Sequence, residues 1–176
     1  MPSQTGTSHA GTARGTRARS SARTRAKRHD AIQLLASDHD EVEKLFKQFQ
    51  KSRQDGARKG EIVRRICVAL TVHAEIEEEI FYPAMRDALP DKDESLMDEA
   101  AIEHETIRNL VEEIGDSGND DEMLAARMKV LSEYVMHHVK EEEGKIFPKA
   151  RKARLDLDGL GAELLERKKE LMREEE

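Results

Sequence analysis

Apolar residues recur at spacings of three and four along most of this chain, the period of an amphipathic helix with one buried stripe. Ile32, Leu35, His39, Val42, Phe46 and Phe49 predict a first helix starting at Asp30, whose side chain caps it with Gln33 as the fourth member of a capping box. Polar residues from Lys51 to Gly60 end it. Ile62, Ile66, Ala69, Leu70, His73, Ile76, Glu77 and Ile80 predict a second helix from Glu61 to Ala88, bent at Pro83 and closed by Pro90. A third, from Asp93 or Ser95 to Ile114, turns Met97, Ala101, His104, Ile107 and Val111 inward and stops at Gly115. A fourth starts at Asn119 or Asp120, presents Met128, Leu131, Tyr134, Val135, His138 and Glu142, and ends at Gly144 and Pro148. A shorter fifth, from Asp158 to Arg173, carries Leu160, Leu164, Leu165 and Leu171, and is expected to cap the bundle or to pair with another subunit. Short connections make the expected fold all-α, an antiparallel up-down-up-down four-helix bundle with a short C-terminal helix.

The four main helices repeat. His39 maps onto His104, His73 onto His138, Glu77 onto Glu142 and Pro83 onto Pro148, each at an offset of 65 residues. Ala36/Ala101, Leu45/Leu110 and Glu78/Glu143 match at the same offset, and Asp38/Glu103, Val42/Ile107, Ile66/Leu131 and Leu70/Val135 are conservative pairs. The pattern is that of a duplicated helical hairpin. It divides the chain into a tail (1–29), the bundle (30–150) and a C-terminal helical extension (151–176).

Aromatic content of 3% and charged content of 38% favour helices with long solvated faces over a β-sandwich. The net charge of −7 conceals two regions, because residues 1–29 carry seven Arg or Lys and no acid, leaving −14 for the remainder. From Pro2 to Ala31 there is no Val, Ile, Leu, Phe, Tyr or Trp, so the tail has nothing to bury and is expected to be disordered. Its charge suits nonspecific contact with anions. It lacks interleaved aromatics and a recognition helix, so no specific nucleic-acid partner is expected. No apolar run is long enough to span a bilayer and no segment resembles a secretory signal, so the expected setting is cytoplasmic, without a membrane partner. Cys67 is the only cysteine and can form neither an internal disulfide nor a thiolate cluster.

Residues four apart on a helix project from one face, so His73 and Glu77 form a pair, as do His138 and Glu142. With His39 and His104 on neighbouring helices, six potential metal ligands converge: four imidazoles and two carboxylates, half from each repeat. Imidazole with carboxylate suits non-haem iron, with manganese second, whereas zinc would call for thiolates or a closed tetrahedron. A glutamate on each of two facing helices can span two metal ions. Uncompensated, an inward carboxylate costs several kcal/mol. The adjacent acids Glu75, Glu78, Glu79, Glu141 and Glu143 are expected to form a solvated face.

The segments Asp38-His39-Asp40, His73 to Pro83, Glu103-His104-Glu105 and His138 to Pro148 resemble the hemerythrin family, in its bacterial His-His-Glu cation-binding branch. The resemblance implies a four-helix bundle around two non-haem iron ions, bridged by carboxylates and an oxo or hydroxo group, that bind or sense dioxygen, peroxide or nitric oxide. It implies His39, His73, His104 and His138 as terminal ligands and Glu77 and Glu142 as bridges. Oxygen-carrying members have a fifth histidine one turn after the equivalent of His104, where this chain has Arg108, so simple oxygen transport is not the expectation. Tyr134, one turn before His138, is a candidate additional ligand, as are His137 and Glu43. The competing functions are a peroxide-decomposing di-iron oxidoreductase of catalase or peroxidase type and an iron-storage or regulatory module.

Deleting residues 1–28 should leave helix content per remaining residue and metal loading nearly unchanged, as circular dichroism and metal analysis would show. Any nucleic-acid affinity of the intact chain should vanish with the tail and weaken steeply with salt in a titration.

Overall fold

In the computed structural model, which describes residues 30–52, 56–116 and 122–175, every regular element is helical. The basic tail at 1–29 and the expected start of the fourth helix at Asn119 or Asp120 lie outside the described residues. Helix α1 (Ala31–Lys51) begins where expected, with Asp30 Oδ1 accepting the backbone N–H of Gln33 at 2.8 Å. Helix α2 (Gly56–Ile76) begins before the expected Glu61, because Ala57, Arg58 and Lys59 are good helix formers despite two of them being charged.

A π turn (Glu77–Phe81) joins α2 to α3 (Tyr82–Ala88), with the N–H of Tyr82 donating to the carbonyl of Glu77 five residues back. After a 3₁₀ turn at Asp91–Asp93 come α4 (Glu94–Gly115) and α5 (Leu124–Glu141). A second π turn (Glu142–Ile146) leads into α6 (Phe147–Lys152). The fourth helical run therefore does not end near Gly144 and Pro148. Each proline follows the last π residue by two positions and has no N–H to give, and the widened turn carries the chain past it without a break.

Helix α7 (Leu157–Glu174) is capped by Asp156, whose Oδ1 accepts the N–H of Gly159 at 2.9 Å. A Cβ on Gly159 would lie 2.5 Å from Asp156 Oδ2, so glycine leaves room for the cap. Helix α1 packs on α2, α4 on α5, and α2 and α1 meet α4 and α5 respectively. Helix α7 packs on α1, α2 and the first π turn.

Two apolar clusters form the core. One contains Ile32, Leu35, Ile76, Phe81, Met85, Met97, Phe147, Leu164 and Leu171; the other contains Val42, Phe46, Ile66, Leu70, Ile107, Met128, Leu131 and Val135. In sequence, His39 falls between Leu35 of the first and Val42 of the second, so the histidines occupy a polar stratum sealed by apolar side chains at both ends. Among the described residues no helix is long and apolar enough to cross a membrane.

Leu164 is fully buried and Leu165 is 41% exposed, on the same helix. Leu164→Ala should cost about 2–5 kcal/mol in urea unfolding of the full chain. Leu165→Ala should stay within about 0.5 kcal/mol of wild type.

Candidate metal centre

Four helices contribute one histidine each to the polar stratum: His39 from α1, His73 from α2, His104 from α4 and His138 from α5. Glu77 and Glu142 are the first residues of the two π turns, and neither has any exposed surface. The Nε2 atoms of His39 and His73 face each other at 3.1 Å, and those of His104 and His138 do the same at 3.1 Å. Glu142 Oε2 lies 3.2 Å from His39 Nε2 and 3.8 Å from His138 Nε2. Glu77 Oε2 lies 3.3 Å from His73 Nε2 and 3.4 Å from His104 Nε2. The six residues compose two overlapping groups whose ligand atoms lie within 4.8 Å of one another: His39, His73, Glu77 and Glu142, and Glu77, His104 and His138.

The outer nitrogen of each imidazole faces an acid. His39 Nδ1 is 2.9 Å from Glu143 Oε1, His104 Nδ1 is 2.9 Å from Glu78 Oε1, and His138 Nδ1 is 2.9 Å from Glu103 Oε2. His73 Nδ1 faces Asp38 Oδ2 at the longer distance of 3.6 Å. A carboxylate can only accept, so each close pair places the imidazole proton on Nδ1 and turns the lone pair of Nε2 inward. These four acids obey the 65-residue repeat, as Glu78/Glu143 and Asp38/Glu103. The expectation that Glu78 and Glu143 belong to a solvated face holds for their exposure but misses these contacts. They remain partly exposed, yet their oxygens reach the imidazoles of the opposite repeat. Their match at the shared offset is the sequence signal that distinguishes them from ordinary surface acids.

Tyr82 completes the centre, although the regular helical period does not point to it. Its hydroxyl lies 3.2 Å from Glu77 Oε2 and 3.1 Å from Glu142 Oε1, and its ring stacks on His104 with centroids 5.7 Å apart. Five residues of regular α-helix turn about 500°, which would send Tyr82 to the side opposite Glu77. The π turn brings it back to the same side. Its repeat partner, Phe147, stacks on His39 with centroids 5.8 Å apart, but has no hydroxyl. Two equivalent positions in the sequence therefore become inequivalent in chemistry.

Tyr134, by contrast, is 47% exposed. It precedes the buried Val135 by one residue, about 100° round the helix, and leaves the stripe that carries Leu131, His138 and Glu142. His137 is exposed and lies 3.4 Å from Glu103, while Glu43 pairs with Lys47 at 2.6 Å, so neither joins the centre. Arg108 turns outward to Glu78 Oε1 at 2.9 Å and braces the acid that orients His104.

Burial, and then the negative Glu142 beside it, push Glu77 well above the usual carboxylate range. Burial acts upward on Glu142 too, but His39 and His138 outweigh it and draw Glu142 down to about 2. Burial opposes charge on His39, yet Glu142, Glu77 and Glu143 surround it and raise it to about 9. His73 is driven down to about 4 by burial and by the charge of His39, against Asp38. Glu77 Oε1 and Glu142 Oε2 accept no hydrogen bond among the described residues. Facing imidazole nitrogens and carboxylate oxygens without a hydrogen-bond partner fit a bound cation.

Comparison with known proteins agrees with this geometry. The family model described as "Hemerythrin HHE cation binding domain" matches residues 30–150. A DNA nickase from Nostoc sp. (strain PCC 7120 / SAG 25.82 / UTEX 2576) is 32% identical over 119 residues, which are 67% of this chain. The match spans only 32% of that protein's length. A crystal structure of a hemerythrin HHE cation-binding domain-containing protein from Mycobacterium kansasii has the same fold, with a TM-score of 0.72 and 17% identity over 83% of this chain and 89% of its own.

Removing the Tyr82 hydroxyl would leave two buried carboxylates without their shared donor. Tyr82→Phe should destabilise the metal-free protein by about 1–3 kcal/mol in urea unfolding. Tyr134→Phe should change neither stability nor metal uptake measurably.

Proposed function

The chain belongs to the family of hemerythrin HHE cation-binding domains, and from that premise we propose that it holds two non-haem iron ions and uses them to bind or sense dioxygen, peroxide or nitric oxide. The observation that carries this reading is the convergence of four imidazole Nε2 atoms on two fully buried carboxylates, with Glu77 common to both ligand groups. In this reading His39, His73, His104 and His138 are terminal ligands, and Glu77 and Glu142 span the two ions. The supporting frame is an antiparallel four-helix bundle over residues 30–150, with 151–176 as a helical extension and 1–29 as a solvated tail.

Iron held here would supply open coordination positions and reversible one-electron changes. The chain supplies orientation and enclosure. Glu143, Glu78 and Glu103 hold three imidazoles by their outer nitrogens, so the inner nitrogens arrive with fixed direction and raised basicity. Tyr82 shares one proton between the two carboxylates and limits how far they move apart. Beside the imidazoles lies a cavity of about 20 Å³ lined by Val42, Leu70, Ile107, Val135 and Val139 together with the four histidines. It has room for one molecule of the size of water or dioxygen, and its apolar walls favour an uncharged guest over an ion.

Anaerobic reconstitution with ferrous iron should load two irons per chain by metal analysis. Glu77→Ala or Glu142→Ala should lose both ions, because each carboxylate serves both. A plateau at one iron in the wild type, or loss of a single iron in either variant, contradicts shared carboxylates. Sustained peroxide turnover with retention of iron would instead favour the oxidoreductase reading.

A further inference from the structure

Helix α7 lies beyond residues 30–150, the segment that matches the family, yet it reaches the ligand set at one point. Lys168 Nζ stands 2.6 Å from Asp38 Oδ1. The other oxygen of the same carboxylate faces His73 Nδ1 at 3.6 Å, too far for a hydrogen bond, and neither atom has another partner among the described residues. At the repeat-related position Glu103 closes on His138 Nδ1 to 2.9 Å. Asp38 is one methylene shorter than Glu103, and its charge is already engaged from the far side by Lys168. A cavity of about 280 Å³, lined by Asp38, Val72, Lys168 and Met172 among others, opens beside this ion pair. Helix α7 is seated independently by the buried Leu164 and Leu171 and by Arg167, whose guanidinium grips both oxygens of Glu79 at 2.7 and 3.0 Å.

We propose that Lys168 is a positioning residue of the metal centre: by holding Asp38 through Oδ1 it keeps Oδ2 aimed at His73, and so governs how firmly the ion bound by His39 and His73 is retained. Without the ammonium, the Asp38 carboxylate turns toward water in the adjoining cavity, and His73 loses the one acceptor facing its outer nitrogen. With that facing charge withdrawn, the imidazole loses the electrostatic hold on its outer nitrogen, and its Nε2 becomes a weaker donor. The companion ion, held by His104 and His138, keeps Glu78 and Glu103 and is untouched. The C-terminal extension thus tunes one of two otherwise related positions. This inference rests on the reading of His39, His73, Glu77 and Glu142 as ligands.

The test uses the full chain loaded anaerobically with ferrous iron, then challenged with a chelator while iron release and the optical spectrum are followed. Wild type should release its two irons at comparable, slow rates. In Lys168→Ala, and in Lys168→Met, which keeps the packing of the stem, one of the two irons should leave about 10- to 100-fold faster, with a shifted spectrum. Lys168→Arg should restore the wild-type rate. Arg167→Ala breaks the other tether of α7, and should lower the unfolding midpoint without altering iron release. Wild-type release rates in both Lys168 variants would overturn the proposal, as would an equal acceleration in Arg167→Ala, which would assign the effect to docking of α7 alone. A wild-type chain that takes up no iron would refute the ligand reading itself, and the proposal with it.

Discussion

Two carboxylates with no contact with solvent, placed among four imidazoles, are the constraint to which the rest of this molecule answers. Glu77 and Glu142 would each cost several kcal/mol if left ionised and unmatched. The chain meets that cost in layers. Imidazoles and the Tyr82 hydroxyl surround the carboxylates, a second ring of acids orients the imidazoles, and cations at the rim, Arg108 and Lys168, neutralise part of that ring. Apolar clusters close the stack on both sides, which raises the value of every interaction inside it. The fold is less a container for the site than the set of helices that this polar stratum requires to be satisfied.

The two repeats supply the same inventory and differ where it matters. Tyr82 has a hydroxyl and Phe147 does not, although both rings cover a histidine with nearly the same spacing. Asp38 falls short of His73 where Glu103 reaches His138. Arg108 braces the acid at His104, while Glu43, at the matching position of the first repeat, turns to Lys47. Each departure changes hydrogen bonding or charge at one half of the stratum only. A duplicated scaffold with unequal halves gives its two imidazole pairs different surroundings while keeping both within reach of Glu77.

Much of this is legible in the sequence, because inward His and Glu residues that repeat at one offset point to a single shared site. The six converging side chains, the cap at Asp30 and the extent of α7 follow from spacing and local chemistry alone. What spacing does not convey is a change of period. A constant 100° per residue turns Tyr82 away from the inward face, whereas a single π turn brings it back; Tyr134, on regular helix one residue before the buried Val135, sits at the exposed edge of the stripe. The proline two residues beyond the second π turn predicts a stop, yet the helical run continues past it to Lys152. The outer acids escape the pattern for a different reason. Glu78 and Glu143 are partly exposed, and a charged residue beside a ligand looks like ordinary surface until the facing helix is in place.

The pairing of those acids crosses between repeats: Glu143 orients His39 and Glu78 orients His104, over sequence separations of 104 and 26 residues. Neither hairpin can finish its own half of the stratum. During folding, each could form its helices early from local contacts, but the imidazoles would stay unaligned until the first and last long helices had closed the intervening loop, the slow step for nonlocal contacts. A cation captured by one hairpin alone would meet rotating rings and an incomplete set of donors. High affinity requires partners 104 residues apart to have met, so acquisition of metal is coupled to the late, nonlocal stage of folding and not to its beginning.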